Sequence, residues 1–274
     1  MLVRVLVENG AAAPHFGCEH GLSLYLETGG RKLMMDVGQG GLFLENALKL
    51  GVDVGDVDIL VLSHGHYDHG GGLGAFLSVN HKARIFAQRT AFGPLYALDE
   101  GQPPRFIGLD AALAPHPQVR LLDGEHAIDD HLFLFPCVSM EGAAAPSNRS
   151  LMEDADGVLI HDSLRHEQNL IVREGEKRFL LAGCAHNGIA HITDRFREIE
   201  GRSPDAVLSG FHLSGPGTSC ALPDEALNSL AARLGAHNTA YYTGHCTGQI
   251  AFDRLSELLP GRVGRLAAGC AFSL

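Results

Sequence analysis

The sequence predicts an α/β fold, and three observations carry the prediction. Short apolar runs of strand character alternate with segments of helical periodicity along the chain. Some of those runs, such as "DILVLSH", are apolar on both faces, as in strands covered from above and below. No linker rich in Gly, Ser or Pro divides the 274 residues, and both halves hold strands and helices. The expectation is one domain over 1–274, with two sheets packed face to face and helices outside.

The elements follow in order. "MLVRVLVE", "LSLYLET" and "RKLMMDVG" read as consecutive strands separated by Gly-containing turns such as "TGGRK". "LFLENALKLG" (42–51) reads as a helix with Leu44, Ala47 and Leu48 on one face and Gly51 ending it. "DILVLSH" is a buried strand, "GLGAFLSV" suits a helix and "ARIFAQ" another strand. Residues 89–118 break the rhythm with five prolines and several aromatics, and read as a lid over a site or as a plain surface excursion. The second half repeats the pattern with strands in "VRLLDG", "HLFLFPCV", "GVLIHD", "NLIVRE", "KRFLLAGC", "AVLSGFHL" and "TAYYTGHC". Helices fall in "IAHITDRFREIEG", "DEALNSLAARLG" and "TGQIAFDRLSELL". Leu227, Leu230, Ala231 and Leu234 form an apolar stripe on the second of these.

Composition narrows the function. A formal net charge of -11 argues against non-specific nucleic-acid binding, because phosphates would be repelled. A small anionic substrate held by a metal or a local cation is compatible with that charge. No run of eighteen apolar residues calls for a membrane span. The N-terminus reaches Glu8 too soon for a signal peptide, so a cytoplasmic location is expected. Cys18, Cys137, Cys184, Cys220, Cys246 and Cys270 form no CxxC pair and read as free thiols. The sixteen histidines are the unusual feature, since several stand at turns just after apolar strands.

The densest block is "LVLSHGHYDHGGGL", residues 60–73. His64, His66, Asp68 and His69 spell H-x-H-x-D-H after a buried strand. An extended strand entering a tight turn lets residues 64 and 66 point the same way and share one ion. Asp68 and His69 lie past the turn and face a second position. Gly70, Gly71 and Gly72 let the backbone pass close and open the next helix. Imidazole and carboxylate donors suit zinc, iron or manganese.

This block resembles the signature of the metallo-β-lactamase-fold superfamily, and the resemblance extends along most of the chain. It implies a four-layer αβ/βα sandwich with a two-metal site at one edge of the sheets. Asp36 in "MMDVG" resembles the early aspartate of that family, which orients a ligand or the metal loop. The family draws its remaining ligands from strand ends of the second half, where His186, His212 and His245 stand. His245 fits the last ligand. Where the family often has Gly-Asp with a bridging carboxylate, this chain has Gly183-Cys184. Either Cys184 replaces the aspartate as a thiolate, or His186 takes over coordination, and His186 is favoured. His166 in "LRHEQNL" is roughly placed for a further ligand, but Glu167 stands where the family has a small residue. His212 is then a catalytic acid or substrate contact.

A narrower resemblance rests on "EHGLSLYLET", "DVGQGGLFLENALKLG", "LSHGHYDHGGGL", "GCAHNGI", "GFHL" and "GHCTG". Together they are similar to the subgroup around the methanopterin-pathway synthase that joins a dihydropterin-methyl diphosphate to an aminobenzene ribofuranosyl phosphate. Many members of that subgroup are called metal-dependent hydrolases. The "EHGLS" feature suggests that Glu19 and His20 line the site. Three functions follow from the resemblance: a hydrolase using a metal-bound hydroxide with Asp68 and His212 as catalytic groups, a diphosphate-releasing transferase, and a non-catalytic metal or redox sensor. Two divalent ions are implied, zinc first, with iron or manganese as alternatives. The implied partner is a small molecule, with no nucleic acid and no membrane. "GQGG" at 38–41 offers backbone N–H groups for a phosphate, and Phe92, Tyr96 and Phe106 offer flat faces for a ring.

Overall fold

The structure is a computed structural model that describes residues 1–136, 146–214 and 222–274. Cys137, Cys220 and the end of the "HLFLFPCV" run lie outside the described residues. In chain order the first elements are β1 (Leu2–Val7), β2 (Ser23–Thr28), β3 (Arg31–Met35), α1 (Leu42–Lys49), β4 (Ile59–Val61), α2 (Tyr67–Gly70), α3 (Leu73–Val79) and β5 (Arg84–Gln88). Next come β6 (Leu95–Ala97), β7 (Arg105–Phe106), β8 (Val119–Leu122), β9 (His126–Ala127), β10 (Leu132–Pro136), β11 (Leu151–Ala155), β12 (Val158–His161) and β13 (Gln168–Glu174). The last are β14 (Lys177–Leu181), α4 (Ile189–Glu200), β15 (Ala206–Leu208), α5 (Asp224–Gly235), β16 (Ala240–Thr243), α6 (Gln249–Leu258), β17 (Val263–Arg265) and β18 (Ala271–Ser273).

The chain resolves into two compact units, each discontinuous in sequence: residues 1–125, 150–168 and 267–274, and residues 126–149 and 169–266. The α/β class is the class observed, because each unit pairs a seven-stranded mixed sheet with helices.

In the first unit the sheet order is β18-β1-β2-β3-β4-β5-β8. β3, β4, β5 and β8 run parallel, whereas β18, β1, β2 and β3 pair antiparallel. The core combines Leu6, Met34, Leu60 and Ile85 of the sheet with Phe43 and Ala47 of α1 and Leu73 and Phe76 of α3. Helix α1 corrects one expectation: Leu48 is 82% exposed, and the buried face is Phe43, Asn46 and Ala47. The polar Asn46 turns inward because its amide is fully used. Its Nδ2 donates to the Leu6 and Gly17 carbonyls, both at 2.8 Å, and its Oδ1 accepts from Gly17 N at 3.1 Å. That bonding rotates the helix, and the apolar count alone does not report it.

The irregular stretch at 89–118 holds β6 and β7, which join β11 and β12 in a small antiparallel sheet ordered β12-β11-β6-β7. Tyr96 and Phe106 stand opposite each other there, edge to face, with ring centroids 5.6 Å apart.

In the second unit the order is β17-β16-β15-β14-β13-β10-β9. β14, β15, β16 and β17 are parallel, linked by α4, α5 and α6. Their core gathers Leu180, Val207 and Tyr241 from the sheet with Ile192 and Phe196 of α4, Leu227, Ala231 and Leu234 of α5, and Ala251 and Leu255 of α6. The stripe read on α5 is thus the packed face, with Leu230 at its partly buried margin.

Candidate metal centre

Both units place chemistry at the carboxyl ends of parallel strands, where side chains from adjacent strands converge. In the first unit Asp36 follows β3, and Ser63 and His64 follow the adjacent β4. Asp36 is fully buried and holds φ 61°, a left-handed backbone that an aspartate tolerates better than most residues. Its Oδ1 accepts from Ser63 N at 2.7 Å, and its Oδ2 accepts from the Ser63 hydroxyl and from His69 Nδ1, each at 2.7 Å. A carboxylate only accepts, so the His69 proton sits on Nδ1 and the lone pair on Nε2. Ser63 gives its only proton to Asp36, so His64 Nδ1, 2.7 Å from Ser63 Oγ, is the donor in that pair. One carboxylate therefore sets two imidazoles in the tautomer that puts the lone pair on Nε2, the form that ligates metal.

The rings converge as that role requires. His64 lies 4.6 Å from His66 and 4.1 Å from His69 between ring centroids. Asp68 Oδ2 stands 3.7 Å from His69 Nε2 and 3.3 Å from His20 Nε2. All four residues of the H-x-H-x-D-H block are buried. Burial pushes the pKa of His66 down against the opposing pull of Asp162, so the ring is held neutral, the form that ligates metal. The glycines after the block serve packing: a Cβ on Gly71 would stand 2.5 Å from the Gln39 carbonyl, and one on Gly72 would stand 2.4 Å from that of Val37.

His166 is engaged otherwise. Gly65 N–H donates to its Nδ1 at 3.2 Å, and its Nε2 donates to Asp162 Oδ2 at 2.9 Å. Both ring nitrogens are committed within the protein, and this histidine braces the loop through Gly65. Burial opposes ionisation of Asp162, but the hydrogen bond from His166, with His66 Nε2 nearby at 3.9 Å, outweighs it and holds the carboxyl well below the usual range. Sequence reasoning did not find Asp162, Ser63 or this use of His166. The pair is 4 residues apart, but its link to Gly65 spans 101 residues and leaves no local trace.

Glu19 and His20 sit beside the loop in different roles. Glu19 Oε1 accepts from Gln39 N at 2.9 Å, so a protein carboxylate already takes one N–H of the "GQGG" turn. His20 is exposed and contacts Asp68. Phe92 packs on the core.

In the second unit three adjacent parallel strands end in donors: β14 in Cys184 and His186, β15 in His212, and β16 in His245 and Cys246. Ala185, His212 and His245 hold φ of 55°, 48° and 48°. Strained backbone of this kind persists where a site over-determines it. Ligand atoms of Cys184, His186 and His212 lie within 4.8 Å of one another, as do those of Cys184, His245 and Cys246. Asn148 fixes His186: its Nδ2 donates to the His186 carbonyl at 2.8 Å, and its Oδ1 accepts from Nδ1 at 3.0 Å, leaving the lone pair on Nε2. The His212 ring lies 4.1 Å from that of His186, and its buried nitrogens have no hydrogen-bond partner among the described residues. Burial disfavours a Cys246 thiolate, but Cys184 and His212 outweigh it and draw the pKa well below that of a free thiol.

These oriented imidazoles with carboxylate and thiol neighbours fit a transition-metal cofactor by donor chemistry. A model of the metallo-beta-lactamase superfamily matches residues 16–236, and the chain belongs to that superfamily. Membership implies divalent-metal binding, and members are mostly metal-dependent hydrolases. The chain is 28% identical over 278 residues to an uncharacterised protein of Methanocaldococcus jannaschii, covering 97% of this chain and 99% of the relative. It is 25% identical over 276 residues to the 7,8-dihydropterin-6-methyl-4-(beta-D-ribofuranosyl)-aminobenzene-5'-phosphate synthase of that organism, covering 93% of this chain and 90% of the synthase. It is also similar to the crystal structure of a metal-dependent hydrolase of the beta-lactamase superfamily, with a TM-score of 0.84 and 26% identity over 100% of this chain and 99% of the other. Among the described residues no helix is long and apolar enough to cross a membrane.

Proposed function

We propose that the chain is a metal-dependent hydrolase of a small anionic substrate. The observation that carries this reading is the Asp36 network, which commits the Nδ1 protons of His64 and His69 and so puts the lone pair of each ring on Nε2. The proposed ligands are His64, His66, Asp68 and His69 in the first unit and His186 and His245 in the second, with Cys184 there as a further donor. Two divalent ions are expected, zinc first, with iron or manganese as alternatives. Bound ions of this kind activate water at neutral pH and neutralise charge developing on the substrate. Asp36, Ser63 and Asn148 keep the rings in the ligating tautomer. Asp68 and His212 are the proton-handling groups, and His212 has the ring nitrogens to do it. Cys18, Cys184, Cys246 and Cys270, outside any disulfide, suit a reducing, cytoplasmic setting.

A second reading, favoured by the 25% identity to the synthase, is a transferase joining a dihydropterin-methyl diphosphate to an aromatic ribofuranosyl phosphate. One experiment separates the two. The metal-loaded protein is incubated with a dihydropterin-methyl diphosphate, and diphosphate is measured with and without the aromatic acceptor. Release without acceptor supports hydrolysis, and release that requires acceptor supports transfer. His66→Ala and Asp68→Ala are expected to lose metal and activity together; unchanged metal content in both would overturn the assignment.

A further inference from the structure

The second unit holds a pair of thiols that the reading above leaves largely unused. Cys184 and Cys246 are both buried, and their sulfurs lie with a donor nitrogen of His245 inside the same 4.8 Å limit. Ligands of a tetrahedral zinc stand ~3.3–3.8 Å apart, given bond lengths of ~2.0–2.3 Å, so small side-chain shifts close this set on an ion. The topology supplies the pair: β14 and β16 flank β15, and each delivers a cysteine just beyond its last residues.

Cys246 is held in place from several sides. The His212 backbone N–H donates to its Sγ at 3.2 Å, and the Sγ–H donates to the Cys184 carbonyl oxygen at 3.7 Å. Gly210 makes room for it, since a Cβ there would stand 2.5 Å from the sulfur.

We propose that Cys246 is itself a metal ligand, forming with Cys184 and His245 a sulfur-rich donor set in the second unit. Such a set takes a thiophilic divalent cation, zinc or ferrous iron, in preference to magnesium, calcium or manganese. This inference rests on the metal-dependent reading and narrows its cofactor.

Cobalt(II) titrated into the metal-free chain tests it, because each thiolate ligand contributes near-ultraviolet charge-transfer absorption. The band is expected to fall by about half in Cys246→Ser and in Cys184→Ser, and to vanish in the double variant. An undiminished band in folded Cys246→Ser overturns the proposal. X-ray absorption of the zinc-loaded wild-type protein, multiplied by the zinc bound per chain, counts sulfurs without any variant: two per chain at about 2.3 Å support the proposal, and one or none per chain overturn it. Metal uptake with fewer than two sulfurs defeats this inference and leaves metal dependence standing. A chain that takes up no metal and still turns over substrate defeats both.

Discussion

Asp36 shows how much one side chain decides at the residue scale. Its carboxylate satisfies three buried donors, Ser63 N–H, the Ser63 hydroxyl and His69 Nδ1–H. Asp36→Ala strands them and places alanine at φ 61°. The expected cost is on the order of 3 kcal/mol in chemical denaturation, from buried donors left without an acceptor. Metal affinity is expected to fall by roughly 10–100-fold, as when a ligand's orienting partner is lost. Unchanged affinity in a zinc titration would show that the carboxylate does not orient the ligands. His166 gives the opposite expectation. Because both its nitrogens are bonded within the protein, His166→Gln is expected to keep its metal stoichiometry while losing about 1–3 kcal/mol of stability. A drop in bound metal per chain would make it a ligand after all.

At the scale of elements, the first unit ties its parallel strands together at the ends opposite the donors. Lys32 of β3 and Lys82, just before β5, both reach Asp56 in the turn before β4, with Lys82 Nζ at 2.7 Å. Lys82 also meets Asp58 at 2.9 Å, and Lys32 N donates to Asp58 Oδ2 at 3.0 Å. Hydrogen bonds from Lys32 and then Lys82 lower the Asp56 pKa from 3.8 to about 2. A carboxyl depressed by folding stabilises the native state above its unfolded pKa, and that contribution is lost as pH falls through the folded value. Asp56→Asn is therefore expected to be less stable than wild type at neutral pH, with the gap closing between about pH 4 and about pH 2. The pairs are exposed, so added salt should shrink the gap. A difference independent of pH would mean that packing, not charge, explains the effect.

Across the whole molecule both units use one device: parallel strands, buried and regular in their middles, deliver donors at their carboxyl ends. Side chains that converge for an ion are costly to assemble without it, so metal that binds only the native state is expected to stabilise the chain by mass action. Stripping metal with a chelator should lower Tm, and returning zinc should raise it with concentration, the added stability reaching about 2.7 kcal/mol at 100-fold excess over Kd. Calorimetry showing the same Tm with and without metal would sink that expectation.

The sequence by itself determined the α/β class and the H-x-H-x-D-H block, because strand runs, helical stripes and a six-residue ligand motif are all local patterns. It pointed to Asp36, His186, His212 and His245 because each ends a strand that can be read from its neighbours and the family resemblance gives those strand ends a role. Tertiary structure alone decided the rest. Leu48 faces out because Asn46 bonds to residues 29 and 40 positions away. His166 braces Gly65 across 101 residues, and Asn148 sets the His186 tautomer across 38. Cys184 and Cys246 become neighbours only because β14, β15 and β16 lie side by side. Periodicity records which face of an element is apolar, but not which distant partner satisfies a buried polar atom, and at this site those partners set the chemistry.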